Sequence, residues 1–508
     1  MKNLKYIFFS FLLIGFYSCN EVEDVLEDNG VSTPDDLPAL SIEGTGLDFS
    51  NYIAVGPSFT AGQSDGTVFL ASQNNSWPNI MSMEFAKVGG GEFKQPTMDD
   101  NYGGLSLGGT RIVGPRLVFG GSGPVPLESV VGPVTVETDL LNPPTGPFNN
   151  LGVPGASSFH FVAQGYGNIA NLAAGLANPY ATRLTGSTPN ASIIELAAAQ
   201  NPSFFTLSLF GGNDVLGYAT GGADQATDAI TPLATFEAAL NGALTAMTAN
   251  GAKGVVSGTP HVTDLPYFTS VPHNPVPLDA ATAAALNGGY AAYNQAMGAT
   301  QLPNNPVLNP LGGALSAEEA AARTILFTAG QNAVVIVDEH LTDLSAFGIP
   351  SFRQATANDL LVLTSSSFIG TLADPNNPTS INGVAVPLAD NWVVTEIEIG
   401  EIITATDAMN ASVEAAANSF GIAYVDLQSI LAEASSTGIM FDDYLLNANL
   451  VTGGLVGLDG IHLTARGYAL MANSFLEAID MQYGSNFVAS GSLAKAGDYP
   501  TNYSPLLQ

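Results

Sequence analysis

The stretch from Phe204 to Pro260 limits the fold more than any other part of the chain. Phe204-Phe205-Thr206-Leu207-Ser208-Leu209-Phe210 reads as a buried strand and breaks at Gly211-Gly212-Asn213-Asp214. Helical periodicity follows from about Thr231 to Asn250, Gly251 stops it, and Gly254-Val255-Val256-Ser257-Gly258-Thr259-Pro260 reads as the next strand. Strand, helix and strand in that order predict an α/β protein with a parallel sheet and crossover helices. Three further apolar runs fit the same sheet: Tyr52 to Gly56, Asn150 to Val153, and Ile422 to Leu427. Helices are predicted near Trp77 to Phe85, Ala280 to Met297, Ala317 to Ala329 and Glu401 to Ser419. A last one starts at Thr464, with Tyr468, Met471, Phe475 and Ile479 at core-facing spacing. Ala333 to Val337 reads as strand-like, and Trp392 to Ile397 as an ordered piece. Two Gly- and Pro-rich regions, near 63–150 and 264–390, read as long insertions in a single elaborated domain covering 47–508.

Charge narrows the partners. The chain carries 45 Asp plus Glu against 12 Lys plus Arg, a formal charge of −33, which excludes nucleic acid as a partner and suits an extracytoplasmic protein. At the N-terminus Lys2 and Lys5 precede an apolar run from Tyr6 to Tyr17, too short to span a bilayer, which reads as a secretory signal over 1–18. Cys19 is the only cysteine, so an internal disulfide and a cysteine metal cluster are both excluded. Its position behind Ser18 resembles a bacterial lipoprotein processing site, which implies lipid attachment at Cys19 and an outer-membrane location facing either the periplasm or the cell surface. The plain alternative is an incidental cysteine in a signal peptide. Residues 19–46 begin with an acidic stretch and read as a solvated tether; acidic residues behind the cysteine resemble a surface-export signal of Bacteroidetes lipoproteins.

Three predicted strand ends offer chemistry: Ser58, Gly155 and Asn213. Sites in open parallel sheets form at the carboxyl ends of strands, so these residues are expected to converge. Backbone N–H groups are free where a strand hands over to a helix, so an oxyanion can be held beside a serine hydroxyl. His462 adds a base, and Asp459, three positions before it, a carboxylate able to fix its tautomer. The plainer readings are that Ser58, Asp459 and His462 cap helices and that Asn213 is a turn residue. His160, His261, His273 and His340 read as structural or surface histidines. Asp338-Glu339-His340 are consecutive, and three neighbours on a strand do not face one point, so neither a metal nor another cofactor is expected.

Gly56-Pro57-Ser58-Phe59-Thr60-Ala61-Gly62, Gly155 in Val-Pro-Gly-Ala, Gly212-Asn213-Asp214 and Asp459-Gly460-Ile461-His462, taken in this order, resemble the four blocks of the GDSL, or SGNH, hydrolase family. The resemblance covers a core of about half the chain and leaves the insertions unexplained. It implies a three-layer α/β/α fold around a flavodoxin-like parallel sheet of five strands and an esterase-type activity. By position it makes Ser58 the nucleophile, His462 the base, Asp459 its orienting acid, and the Ser58 N–H, Gly155 N–H and Asn213 amide the oxyanion donors. One position departs from the family: Pro57 stands where an Asp is usual, which removes a backbone donor and fixes φ beside the nucleophile. The expected function is a lipid-anchored serine esterase acting on a small-molecule, lipid or glycan ester. The rival is a non-catalytic binding or assembly lipoprotein of the outer membrane, or a subunit of a complex there.

Overall fold

The computed structural model describes residues 37–223, 228–307 and 309–508. The expected signal, Cys19 and the first part of the tether lie outside the described residues. Five strands form one parallel sheet: β1 (Tyr52–Gly56), β2 (Asn150–Gly152), β3 (Phe204–Leu207), β4 (Lys253–Ser257) and β5 (Ala423–Val425). Their order across the sheet is β2-β1-β3-β4-β5. Register is direct, with Val55 opposite Leu151 on one side and Leu207 on the other, and Val255 opposite Ala423. This is the flavodoxin-like order, in which chain direction across the sheet reverses between β1 and β3 and opens a crevice beyond their carboxyl ends.

Every residue of β1 and of β3 is buried, as unbroken apolar runs require when helices cover both faces of a parallel sheet. The helices form two packed groups. In one, α2 (Trp77–Ala86) lies against the C-terminal α9 (Ala465–Tyr483), with Trp77 and Phe475 stacked at 4.4 Å between ring centroids. The other contains α3 (Ser158–Val162), α4 (Ile193–Ala198), α6 (Leu233–Thr248) and α7 (Glu396–Phe420). Among the described residues no helix is long and apolar enough to cross a membrane.

Several boundaries differ from expectation. The end of the predicted tether is docked on the body: Asn486 takes a hydrogen bond from Ser41 N (2.8 Å) and gives one to Ala39 O (2.9 Å), while Lys253 Nζ donates to Thr45 O at 2.6 Å. The ordered piece near Trp392 is a two-residue strand, Val393–Val394, followed at once by α7. The helix predicted over 280–297 is two helices, Ala280–Gly289 and Ala291–Thr300, broken at Tyr290 behind Gly288-Gly289. The next one stops at Arg323, because Ile325 and Phe327 turn into a hydrophobic cluster of the insertion's own with Val276, Ile336, Val384 and Val393. The first insertion carries α2 and two short hairpins, Leu105–Leu107 with Thr110–Val113 and Leu117–Phe119 with Pro124–Pro126.

Candidate active site

β1 ends at Gly56 because nothing larger fits there: a Cβ would sit 2.3 Å from Thr60 Oγ1 and 2.7 Å from Ser208 O. Pro57 follows at φ −77°, within proline's normal range, and starts α1 (Ser58–Ala61), whose last turns close on the Pro57 carbonyl through Thr60 N and Ala61 N. Ser58 is therefore the first residue of the helix, with its N–H outside the helical bonding pattern. Gly62 at φ +76° ends the helix.

His462 comes from the other end of the chain. Its Nε2 lies 2.8 Å from Ser58 Oγ and its Nδ1 lies 2.7 Å from Asp459 Oδ2. Asp459 Oδ1 also accepts the N–H groups of Ile461 and His462, both at 2.9 Å. Burial pushes the Asp459 carboxyl up, but the His462 charge, their shared hydrogen bond and these two N–H groups outweigh it and hold the acid below its ordinary value. An ionised Asp459 on Nδ1 fixes that nitrogen as the donor and leaves Nε2 to take a proton from the serine. Neither residue caps a helix: Thr464 caps α9, accepting from Gly467 N at 3.0 Å. Ser58 and His462 are 5% and 6% exposed, enough access for a reacting group and little for bulk water.

Gly155 and Asn213 follow β2 and β3, and Asn213 lines the same cavity as Ser58. Val153-Pro154-Gly155-Ala156 forms a turn closed by Ala156 N on Val153 O (3.2 Å), with Gly155 at φ +77°. That is a type II turn, in which Pro is preset for the second position and Gly for the third, and the Gly155 N–H takes no part in the closing bond. Asn213 opens α5 (Gly212–Thr220), and its Nδ2 donates to Ala156 O at 3.0 Å, leaving its second amide hydrogen outside that bond. The next residue, Asp214, is buried and accepts from Ser158 N (2.8 Å) and Ser158 Oγ (2.6 Å), which ties the start of α5 to the Gly155 turn. Gly155 itself is exposed.

Three residues that the sequence did not single out hold the histidine loop. Ser64 Oγ donates to Leu463 O (3.0 Å), Asp65 Oδ1 accepts from Leu458 N (2.8 Å), and Gly66 N donates to Asp459 Oδ2 (2.7 Å). Asp65 is 3% exposed and adopts φ +50°. Burial pushes its carboxyl up to about 7; the Leu458 N–H opposes this and the neighbouring Asp459 adds to it. Phe59 packs its ring 5.1 Å from that of His462.

Beside Ser58 opens a cavity with about 800 Å³ of empty space, its open mouth included. Its walls come from Leu209 and Leu216, from Val262 and Leu265 after β4, from Ile430 and Leu431 of α8 (Leu427–Ser436), and from Leu470 and Met471 of α9. Asn213 lines it; Gly155 is not among its lining residues. No protein-family model, curated protein or solved structure matches the chain.

The remaining histidines stand apart from the triad. His160 accepts Ser157 N on Nδ1 (3.0 Å), and His261 pairs with Asp407 at 2.7 Å. Asp338-Glu339-His340 do not lie on a strand as expected: the strand ends at Val337, and in the turn that follows one ligand atom of each lies within 4.8 Å of the others. Asp338 is nevertheless committed to Arg353, at 2.6 Å.

Proposed function

We propose that this protein is a serine ester hydrolase of the SGNH type that acts on esters with an apolar acyl chain. The observation that carries the reading is the Ser58–His462–Asp459 relay, closed across 404 positions of chain at 2.8 and 2.7 Å. A hydroxyl, an imidazole and a carboxylate in that order perform acyl transfer. His462 Nε2 takes the Ser58 proton as Oγ attacks the ester carbonyl. The resulting oxyanion lies toward the Ser58 N–H, the Gly155 N–H and the Asn213 amide. His462 then protonates the departing alcohol, leaving an acyl-serine, and the same steps with water release the acid and restore the hydroxyl. Pro57 is compatible with this reading: its φ is normal and the Ser58–His462 contact is made beside it.

The substrate class rests on the cavity. Leu209, Val262, Leu265, Leu431 and Met471 are each only 4–6% exposed, and they face a space next to the nucleophile that an alkyl chain fits and a sugar does not. Each methylene that enters such a space gains about 0.8 kcal/mol, or about a fourfold rise in kcat/KM. The resemblance at Cys19 supports lipid attachment and an outer-membrane location, where acyl esters are at hand.

The test is a series of p-nitrophenyl esters from acetyl to decanoyl, with acetylated glycans in parallel. The proposal expects kcat/KM to rise along the series and Ser58 to be labelled by a fluorophosphonate. A folded protein that neither labels nor turns over any ester is the non-catalytic lipoprotein instead. Activity that is greatest on acetyl groups keeps the hydrolase and removes the acyl-chain assignment.

A further inference from the structure

Where the second insertion meets the core, the carboxylates of Glu339, Asp390 and Glu398 converge, with one oxygen of each within 4.8 Å of the others. Glu398 is completely buried near the start of α7. One of its oxygens, Oε2, accepts Thr395 N at 2.6 Å, one half of a capping box. The other, Oε1, is reached by no N–H or O–H donor outside the acidic cluster and points into it, beside the Glu339 carboxyl. Among the described residues Glu398 forms an ion-pair contact with His340 Nδ1 at 3.8 Å, too long for a hydrogen bond. The nearby arginine, Arg353, is occupied by Asp338 and by both oxygens of Asp359 at 2.6 and 2.7 Å.

A buried carboxylate facing two others needs positive charge between them, either a proton or a cation. A proton joins one pair of oxygens, here those of Glu339 and Glu398. A cation can take an oxygen from each of the three. The donors are oxygen only and come from three separate segments: the turn after Val335–Val337, the 3-10 turn Asp390–Trp392, and α7. Such a set suits a large, hard ion with flexible coordination better than a small ion that demands octahedral geometry. We propose that Glu339, Asp390 and Glu398 bind one divalent cation of the calcium class, which fastens the second insertion to α7.

The experiment uses the whole chain stripped with EGTA, then titrated with CaCl₂ up to about 1 mM, the range of extracytoplasmic calcium sites. Calorimetry should report a specific site and thermal unfolding should shift upward by several degrees, with MgCl₂ giving a smaller shift. In Glu398→Gln, which keeps an acceptor for Thr395 N, the shift should vanish. In Asp390→Asn, which leaves α7 and its cap untouched, calcium affinity should fall at least tenfold. The proposal is overturned if the wild-type chain shows no calcium-dependent shift, which leaves the shared proton as the answer. It is equally overturned if both variants keep the full shift, which would mean that calcium acts elsewhere on the acidic surface.

Discussion

Residue by residue, the triad makes predictions that differ in size. Ser58→Ala removes the proposed nucleophile and should abolish ester hydrolysis and fluorophosphonate labelling while leaving the melting temperature within a few degrees. Asp459→Asn keeps an oxygen for the Ile461 and His462 N–H groups, but it no longer forces the imidazole into the tautomer that accepts from serine. A loss of about 10⁴ in kcat is expected, and an unaltered kcat would remove Asp459 from the relay. Asn213→Ala should cost about 10²–10³ in kcat if the amide faces the oxyanion. The bond from its Nδ2 to Ala156 O makes a plain folding defect the competing result. A split in which kcat falls, KM holds and the melting curve is unchanged decides for the oxyanion role.

At the level of elements, the sheet strands were legible as short apolar runs, and β1, β2 and β3 are cut off by glycine or proline just before Ser58, Gly155 and Asn213, whereas Asp459 and His462 stand together in a turn before α9. What holds the histidine loop was not legible, since Asp65 is one acid in a polar stretch and its partner Leu458 lies 393 positions away. The start of α7 was legible and missed: Thr395-x-x-Glu398 is a capping-box signature. Asp65 also sets a pH dependence. Unfolded, it titrates near its ordinary 3.8, and folded at about 7, so between those values the folded state holds the extra proton. Stability from this group is therefore full in acid, declines as pH rises from about 4 to about 7, and is gone above that, an effect of at most ~4 kcal/mol. Asp65→Asn keeps an acceptor for Leu458 N and should flatten the slope. Urea unfolding of both proteins at pH 5 and pH 8 measures it, and equal slopes would show that Asp65 carries no such proton.

For the whole molecule, charge is the term that local contacts leave unbalanced. A formal −33 sits on a chain with 12 basic residues, and several of those do little for the surface. Arg116, Arg183, Arg323 and Arg353 are buried, Arg111 is paired with Glu128, and Lys253 is turned onto Thr45 O. Mutual repulsion among the acidic groups therefore opposes the compact state, and it is the kind of interaction that salt screens over a Debye length of about 10 Å at 0.1 M. Raising NaCl from about 0.02 M to about 0.5 M should raise the melting temperature by several degrees, the reverse of what a fold held by surface ion pairs would do. The response should persist in EGTA and in Glu398→Gln, because screening needs no specific site, and this separates it from the calcium effect. A melting temperature that falls with NaCl would mean that the few cationic contacts outweigh the acidic surface.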